Sequence, residues 1–164
     1  MEKPGGFDMS KLSMATKIIA GAGILLLIDS FLQWQRVCVE FAGISGCSGL
    51  SAWAGSGSFF GLLMGLCVVV LLIWEGMQAA GAAGNLNLPI SASKASAYLG
   101  FGVVIFGVLK LIIVLTSEIK PSIFGWIGLI LILAVGYGAW MRFQEPEVMA
   151  PPTASGGTDG GFIA

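Results

Sequence analysis

Apolar residues in this chain come in four long blocks separated by short polar segments. A bilayer core about 30 Å thick takes about 20 mostly apolar residues per helix, and blocks at about 16–34, 58–78, 95–116 and 122–141 meet that length. The pattern predicts an all-α membrane protein, a four-transmembrane-helix bundle occupying residues 16–141. The first block resembles a signal peptide in that Lys17 precedes the apolar run Ile18–Ile28. The segment Asp29-Ser30-Phe31-Leu32-Gln33-Trp34 offers no small-x-small cleavage site, however, so an uncleaved first span is expected.

Lys and Arg concentrate on the cytoplasmic side of spans. Lys3, Lys11, Lys17, Lys94 and Arg142 fall on one side of the predicted topology, and Arg36 and Lys120 on the other. Both termini are therefore expected in the cytoplasm, with an outer loop at 35–57, an inner loop after the second span and a very short outer turn at Ser117–Pro121. Trp34, Trp53, Trp74, Trp126 and Trp140 lie at or near span ends, where an amphipathic indole prefers the membrane interface, and are expected to act as anchors there. Residues 1–15 and 142–164 are expected to be disordered cytoplasmic tails, because segments such as Pro4-Gly5-Gly6 and Pro151-Pro152-Thr153-Ala154-Ser155-Gly156-Gly157 cannot bury enough apolar area to fold. The inner loop Gly81–Pro89 reads as a flexible connector, followed by Ser91 or Ser93 as the cap of the third span.

Composition narrows the chemistry. Of 164 residues 56% are hydrophobic and 10% charged, where a soluble domain has about a quarter charged, and the mean hydropathy is +0.91. The absence of histidine removes Ser-His-Asp catalysis and histidine-ligated zinc or haem. A net charge of −1 leaves no electrostatic footprint for nucleic acid. No enzyme activity, cofactor or metal is expected. The expected partners are the lipid bilayer and either a membrane-protein partner or further copies of the chain.

Four features remain as candidates for function. Gly57, Gly61 and Gly65 are spaced four apart at the start of the second span, which puts them on one helical face open to close approach by another helix or a partner chain. Asp29 and Lys110 are ionisable residues inside spans, where an unpaired charge costs about 2.5–3.5 kcal/mol or more. At 1.5 Å per residue both lie near one level of the outer leaflet, which predicts an ion pair between spans 1 and 3. Glu75, at the inner end of span 2, is expected to be solvated at the interface. In the outer loop, Val37–Phe41 alternates like a β-strand and glycines follow it, which predicts a small hairpin. Cys38 and Cys47, both expected outside, are close enough in sequence for a disulfide stapling it, while Cys67 reads as an apolar filler within span 2.

At Ile28-Asp29-Ser30-Phe31-Leu32-Gln33-Trp34 and Ser51-Ala52-Trp53-Ala54-Gly55 the chain resembles small four-span membrane proteins of bacteria, notably actinobacteria. That resemblance covers about 18–73 and implies a bacterial plasma membrane, with no particular activity. Trp34, Cys38 and Cys47 also resemble the claudins, whose first outer loop carries a tryptophan and a C-x8–10-C disulfide. The outer loop is about half a claudin's length and lacks the Gly-Leu-Trp element, which makes this second likeness convergence on a stapled loop. Small multidrug exporters carry a mid-depth carboxylate in span 1, and glutathione-dependent four-span enzymes an Arg- and Asn-rich inner set. Neither pattern is present here. The expected function is that of a non-enzymatic structural or accessory subunit contacting partners through the outer loop and the span 2 glycine face. The alternative is a small ion or solute transporter or channel component using Asp29 and Lys110.

Overall fold

The computed structural model describes residues 12–41, 44–81 and 90–145. The expected tails at 1–11 and 146–164 and most of the inner connector, at 82–89, lie outside the described residues. In chain order the elements are α1 (Met14–Ser30), β1 (Gln35–Phe41), β2 (Ile44–Leu50), α2 (Ser58–Ala79), α3 (Ala92–Thr116), β3 (Lys120–Pro121) and α4 (Ile123–Gln144). Helices α2, α3 and α4 are each long and apolar enough to cross a membrane, which makes this a multi-pass membrane protein by length and composition. Helix α1 has 17 residues, about 26 Å at 1.5 Å per residue. It stops at Ser30, short of the expected Trp34.

The helices form a ring in which α1 packs on α2 and α4, and α3 packs on the same two. Ile19, Leu26, Met64, Val68, Leu71, Val103, Ile132 and Val135 fill its interior. Glycines let the helices approach. A methyl group on Gly138 of α4 would come within 2.6 Å of Ile19 Cγ1 on α1, and one on Gly107 of α3 within 2.5 Å of Ile132 Cδ1 on α4. The outward faces stay apolar: Leu25, Leu66, Ile105 and Ile130 are all more than half exposed. In water that surface would cost about 25 cal/mol per Å², a cost removed when lipid covers it.

Helix starts follow local chemistry. The Ser13 hydroxyl accepts from Thr16 N at 3.2 Å to cap α1, Ser91 is the N-cap of α3, and Ser122 Oγ accepts from Phe124 N at 3.2 Å to cap α4. The α4 boundary differs from expectation, since the helix runs to Gln144 and buries Arg142, placed above in a tail. That extension is held by the ion pairs Arg142 makes inside the bundle.

Strands β1 and β2 pair antiparallel with Cys38 opposite Cys47, and the two are disulfide-bonded as expected. The outer turn contributes more than a turn. Lys120 and Pro121 pair with Arg36 and Gln35, so β3 completes a three-stranded sheet of order β2-β1-β3.

Candidate functional site

Polar and charged groups gather at the two ends of the ring. At the hairpin end, the chain leaving β2 dips back onto the helices. Ala52 N donates to Ser30 O at 3.0 Å, and Trp53 Nε1 donates to Ser30 Oγ at 3.1 Å. This return limb lies on the glycine face of α2. A Cβ on Gly61 would strike the Ala52 carbonyl oxygen, and one on Gly65 would strike the Trp53 ring. Gly57 has φ +70° as N-cap of α2, a conformation that favours glycine. The face predicted to receive a helix or a partner chain is therefore covered by the chain's own loop. Helix–helix spacing alone could not reveal this, because a glycine stripe accepts a loop backbone as readily as a helix.

Lys110 secures the same limb. Its ammonium, fully buried, donates to Ala54 O at 3.1 Å and Ser56 O at 2.6 Å. Gln35, also fully buried, grips Ser56 from the other side: Gln35 Nε2 donates to Ser56 O at 3.0 Å and Ser56 N donates to Gln35 Oε1 at 3.2 Å. A side-chain amide thus copies a strand's hydrogen-bond pattern. Nothing in the sequence around Gln35 marks it for this role.

The expected Asp29–Lys110 pair is not formed. Both residues lie at the hairpin end, but they point differently. The Asp29 carboxylate faces α4, where a Cβ on Gly128 would come within 2.8 Å of Oδ2. Neither carboxylate oxygen has a hydrogen-bond partner. Lys110 instead runs along the α2 glycines, with Cε 3.8 Å from where a Cβ on Gly61 would stand. The two share an end of the ring, and the faces on which α1 and α3 meet their neighbours separate them.

The tryptophans also divide. Trp126 and Trp140 are exposed on α4, as lipid-interface anchors would be. Trp34, 2% exposed, is instead a wedge. Its Nε1 donates to Asp29 O at 3.0 Å, and its ring lies where a Cβ on Gly128 would be. Ser122 ties the same turn to α4: its N donates to Trp34 O at 2.9 Å and its hydroxyl donates to Gln33 O. Trp53 and Trp74 are half-buried, the latter donating to Ala92 O at 3.2 Å.

At the opposite end, Arg142 links three elements. Nη2 lies 2.8 Å from Glu75 Oε2 and 2.6 Å from Thr16 Oγ1, and Nη1 lies 2.8 Å from Glu145 Oε2. Gln78 accepts from Arg142 at 3.4 Å and donates to Ser96 Oγ at 2.9 Å, which brings in α3. Glu75 is 2% exposed, so its expected solvation at the interface gives way to a buried ion pair. Glu75 Oε1 and Arg142 Nε have no hydrogen-bond partner. Sequence reading puts Arg142 at the level of Glu75 but at the start of a tail, in interfacial water, and so does not pair the two inside the bundle. The signal was present in Glu75 and Gln78, three residues apart on one helix face.

Among the described residues, no group of three His, Cys, Asp or Glu could hold a metal ion. One end fixes the hairpin to the ring, and the other ties four helices together. No family model, curated protein or solved structure matches this chain.

Proposed function

We propose that this protein is a four-span accessory subunit of a bacterial plasma membrane, with both termini in the cytoplasm, which presents a stapled hairpin to a partner on the outer side. The observation that carries this reading is the construction of the hairpin end. Lys110, Gln35, Ser30 and the α2 glycines all serve to hold the limb that leads out of the hairpin. Its apolar tip is left open: Val39 is 61% and Ile44 76% exposed. Rigid display of an apolar tip suits recognition, since a preorganised element loses little entropy on binding. That α1 is a fourth span is supported by its contact with α4 along its length, from Gly138 against Ile19 to Gly128 against Asp29. The lysine and arginine bias and the resemblance to small four-span bacterial proteins support the topology and the membrane. The partner contact is assigned to the hairpin alone, because the glycine face is filled.

The test is site-specific photo-crosslinking from positions 39 and 44 in cells, followed by mild-detergent purification and mass spectrometry. A stoichiometric cross-linked partner, or a second copy, that is lost in Val39→Asp/Ile44→Asp supports the reading. A protein that purifies alone and cross-links only to lipid overturns it.

A second reading, a small transporter or channel component, draws on Asp29, whose carboxylate is 4% exposed with both oxygens unpartnered. Lys110 gives it no support, since its ammonium is committed to Ala54 and Ser56. Flux in reconstituted vesicles that is lost in Asp29→Asn and retained in Lys110→Met would favour it.

A further inference from the structure

The three-stranded sheet has two edges, and they are built differently. One is β3, two residues long, with Lys120 and Pro121. Shortness, lysine and proline are all devices that keep a sheet edge from pairing with another chain. The other edge is β2, seven residues without a charge, a proline or a bulge, exposed from Ile44 to Ser48. A Cβ added to Gly46 meets nothing within 4 Å, so nothing overhangs the strand there.

Register decides which backbone groups this edge offers. The Cα atoms of Cys38 and Cys47 are 4.1 Å apart, the spacing of a pair that exchanges no backbone hydrogen bonds, where bonded pairs stand about 5.5 Å apart. Gly46 and Ser48 therefore bond to β1, and Ser45, Cys47 and Gly49 turn their N–H and C=O groups outward. The far side of β1 keeps the same phase, since the carbonyl of Trp34, four residues before Cys38, accepts from Ser122 N at 2.9 Å.

We propose that β2 pairs antiparallel with β2 of a second copy of this chain, about a two-fold axis at Cys47. That axis sets Cys47 opposite Cys47 and Ser45 opposite Gly49, so the outward groups meet one another and each pair exchanges two N–H···O bonds. It is the register that uses all three outward residues. Gly46 then faces Ser48, small against small, and Ile44 faces Leu50, an apolar pair at each end of the seam. The axis is perpendicular to the sheet, and two copies facing the same way in one bilayer are related about the membrane normal, so the sheet has to lie across the end of the ring. Its faces agree with this: Gln35 is fully buried and Val37 half-buried on one, while Arg36, Cys38 and Glu40 are exposed on the other. The pairing rests on both copies spanning one membrane in one direction, as proposed above. The contact is small beside a stable soluble interface, so it is expected in the membrane and not in dilute detergent.

The experiment reconstitutes the purified full chain in phosphatidylcholine vesicles with a photo-reactive side chain at position 48. Irradiation at a high protein-to-lipid ratio is expected to give a cross-linked dimer whose new bond lies within residues 44–48 of the other copy. Absence of a dimer, or a bond from position 48 to a helix, overturns the proposal. Ser45→Pro removes an outward N–H and leaves the ladder to β1 intact, so it should lower the dimer yield roughly tenfold or more while the Cys38–Cys47 bond still forms. An unchanged yield overturns the edge pairing. Hydrogen exchange decides the matter if that variant does not fold. The amides of Ser45, Cys47 and Gly49 should exchange more slowly in protein-rich vesicles than in dilute ones, and those of Gly46 and Ser48 should stay slow in both. Exchange at the first three that ignores the ratio overturns the pairing. The purified chain brings no other protein, so the result is separate from what the hairpin tip recognises. Insertion is scored on its own by alkaline carbonate: a chain that stays in the vesicles yet gives no dimer sinks the pairing alone, and a chain that is released sinks the topology with it.

Discussion

Lys110 on α3 donates a 2.6 Å hydrogen bond to the carbonyl oxygen of Ser56, 54 residues earlier in the chain. A fully buried cation is thereby spent on holding a loop. Lys110→Met leaves the Ala54 carbonyl without its donor and the Ser56 carbonyl with Gln35 Nε2 alone, and hydrogen bonds to a charged group contribute about 1.5–3 kcal/mol each. A loss of about 2–4 kcal/mol is expected in denaturation followed by Trp53 fluorescence. Exchanging the charges, Asp29→Lys with Lys110→Asp, should recover none of it. Recovery would restore the ion pair between spans 1 and 3.

The loop seated on α2 makes its glycines unequal to others. Gly61→Ala pushes a methyl group into the Ala52 carbonyl, and overpacking of this kind costs about 1–3 kcal/mol. Gly21→Ala meets nothing within 4 Å and should change stability by no more than about 1 kcal/mol, in the stabilising direction. Paired unfolding curves of the two variants test the contrast.

Arg142→Leu strands the buried Glu75 carboxylate, and breaking a buried pair from one side costs about 3–5 kcal/mol. Adding Glu75→Leu removes the stranded charge. The double variant should regain most of the lost stability, a coupling that a double-mutant cycle measures directly.

The staple between Cys38 and Cys47 should act on the hairpin and leave the ring largely untouched. A short disulfide loop contributes on the order of 2–3 kcal/mol to local order. Cys38→Ser/Cys47→Ser is expected to speed hydrogen exchange in β1 and β2 while the helices keep their protection, because Gln35 and Ser56 clamp the base of the hairpin independently of the bond.

Trp126 and Trp140 are 44% and 52% exposed against 2% for Trp34. In single-tryptophan variants, brominated lipid should quench the first two strongly and Trp34 weakly. Strong quenching of Trp34 would return it to the interface belt.

Whereas the last turn of α4, with Arg142, was not legible in the sequence, the placement of α2, α3 and α4, the hairpin and its disulfide were. Each depends on properties that neighbouring residues carry together: a run of apolar side chains, β-prone alternation, two cysteines a short loop apart. Even the placing of Asp29 and Lys110 toward the same, hairpin end followed from a fixed rise per residue. Only the tertiary structure decided which neighbour each buried group would meet. Helical spacing puts Asp29, Lys110, Gly61 and Glu75 on faces, but the ring determines that those faces look toward Gly128, Ser56, Ala52 and Arg142. Several of these partners are more than fifty residues apart. Their pairing follows from the cost of leaving polar atoms unpartnered away from water, a condition that exists only once the helices have packed.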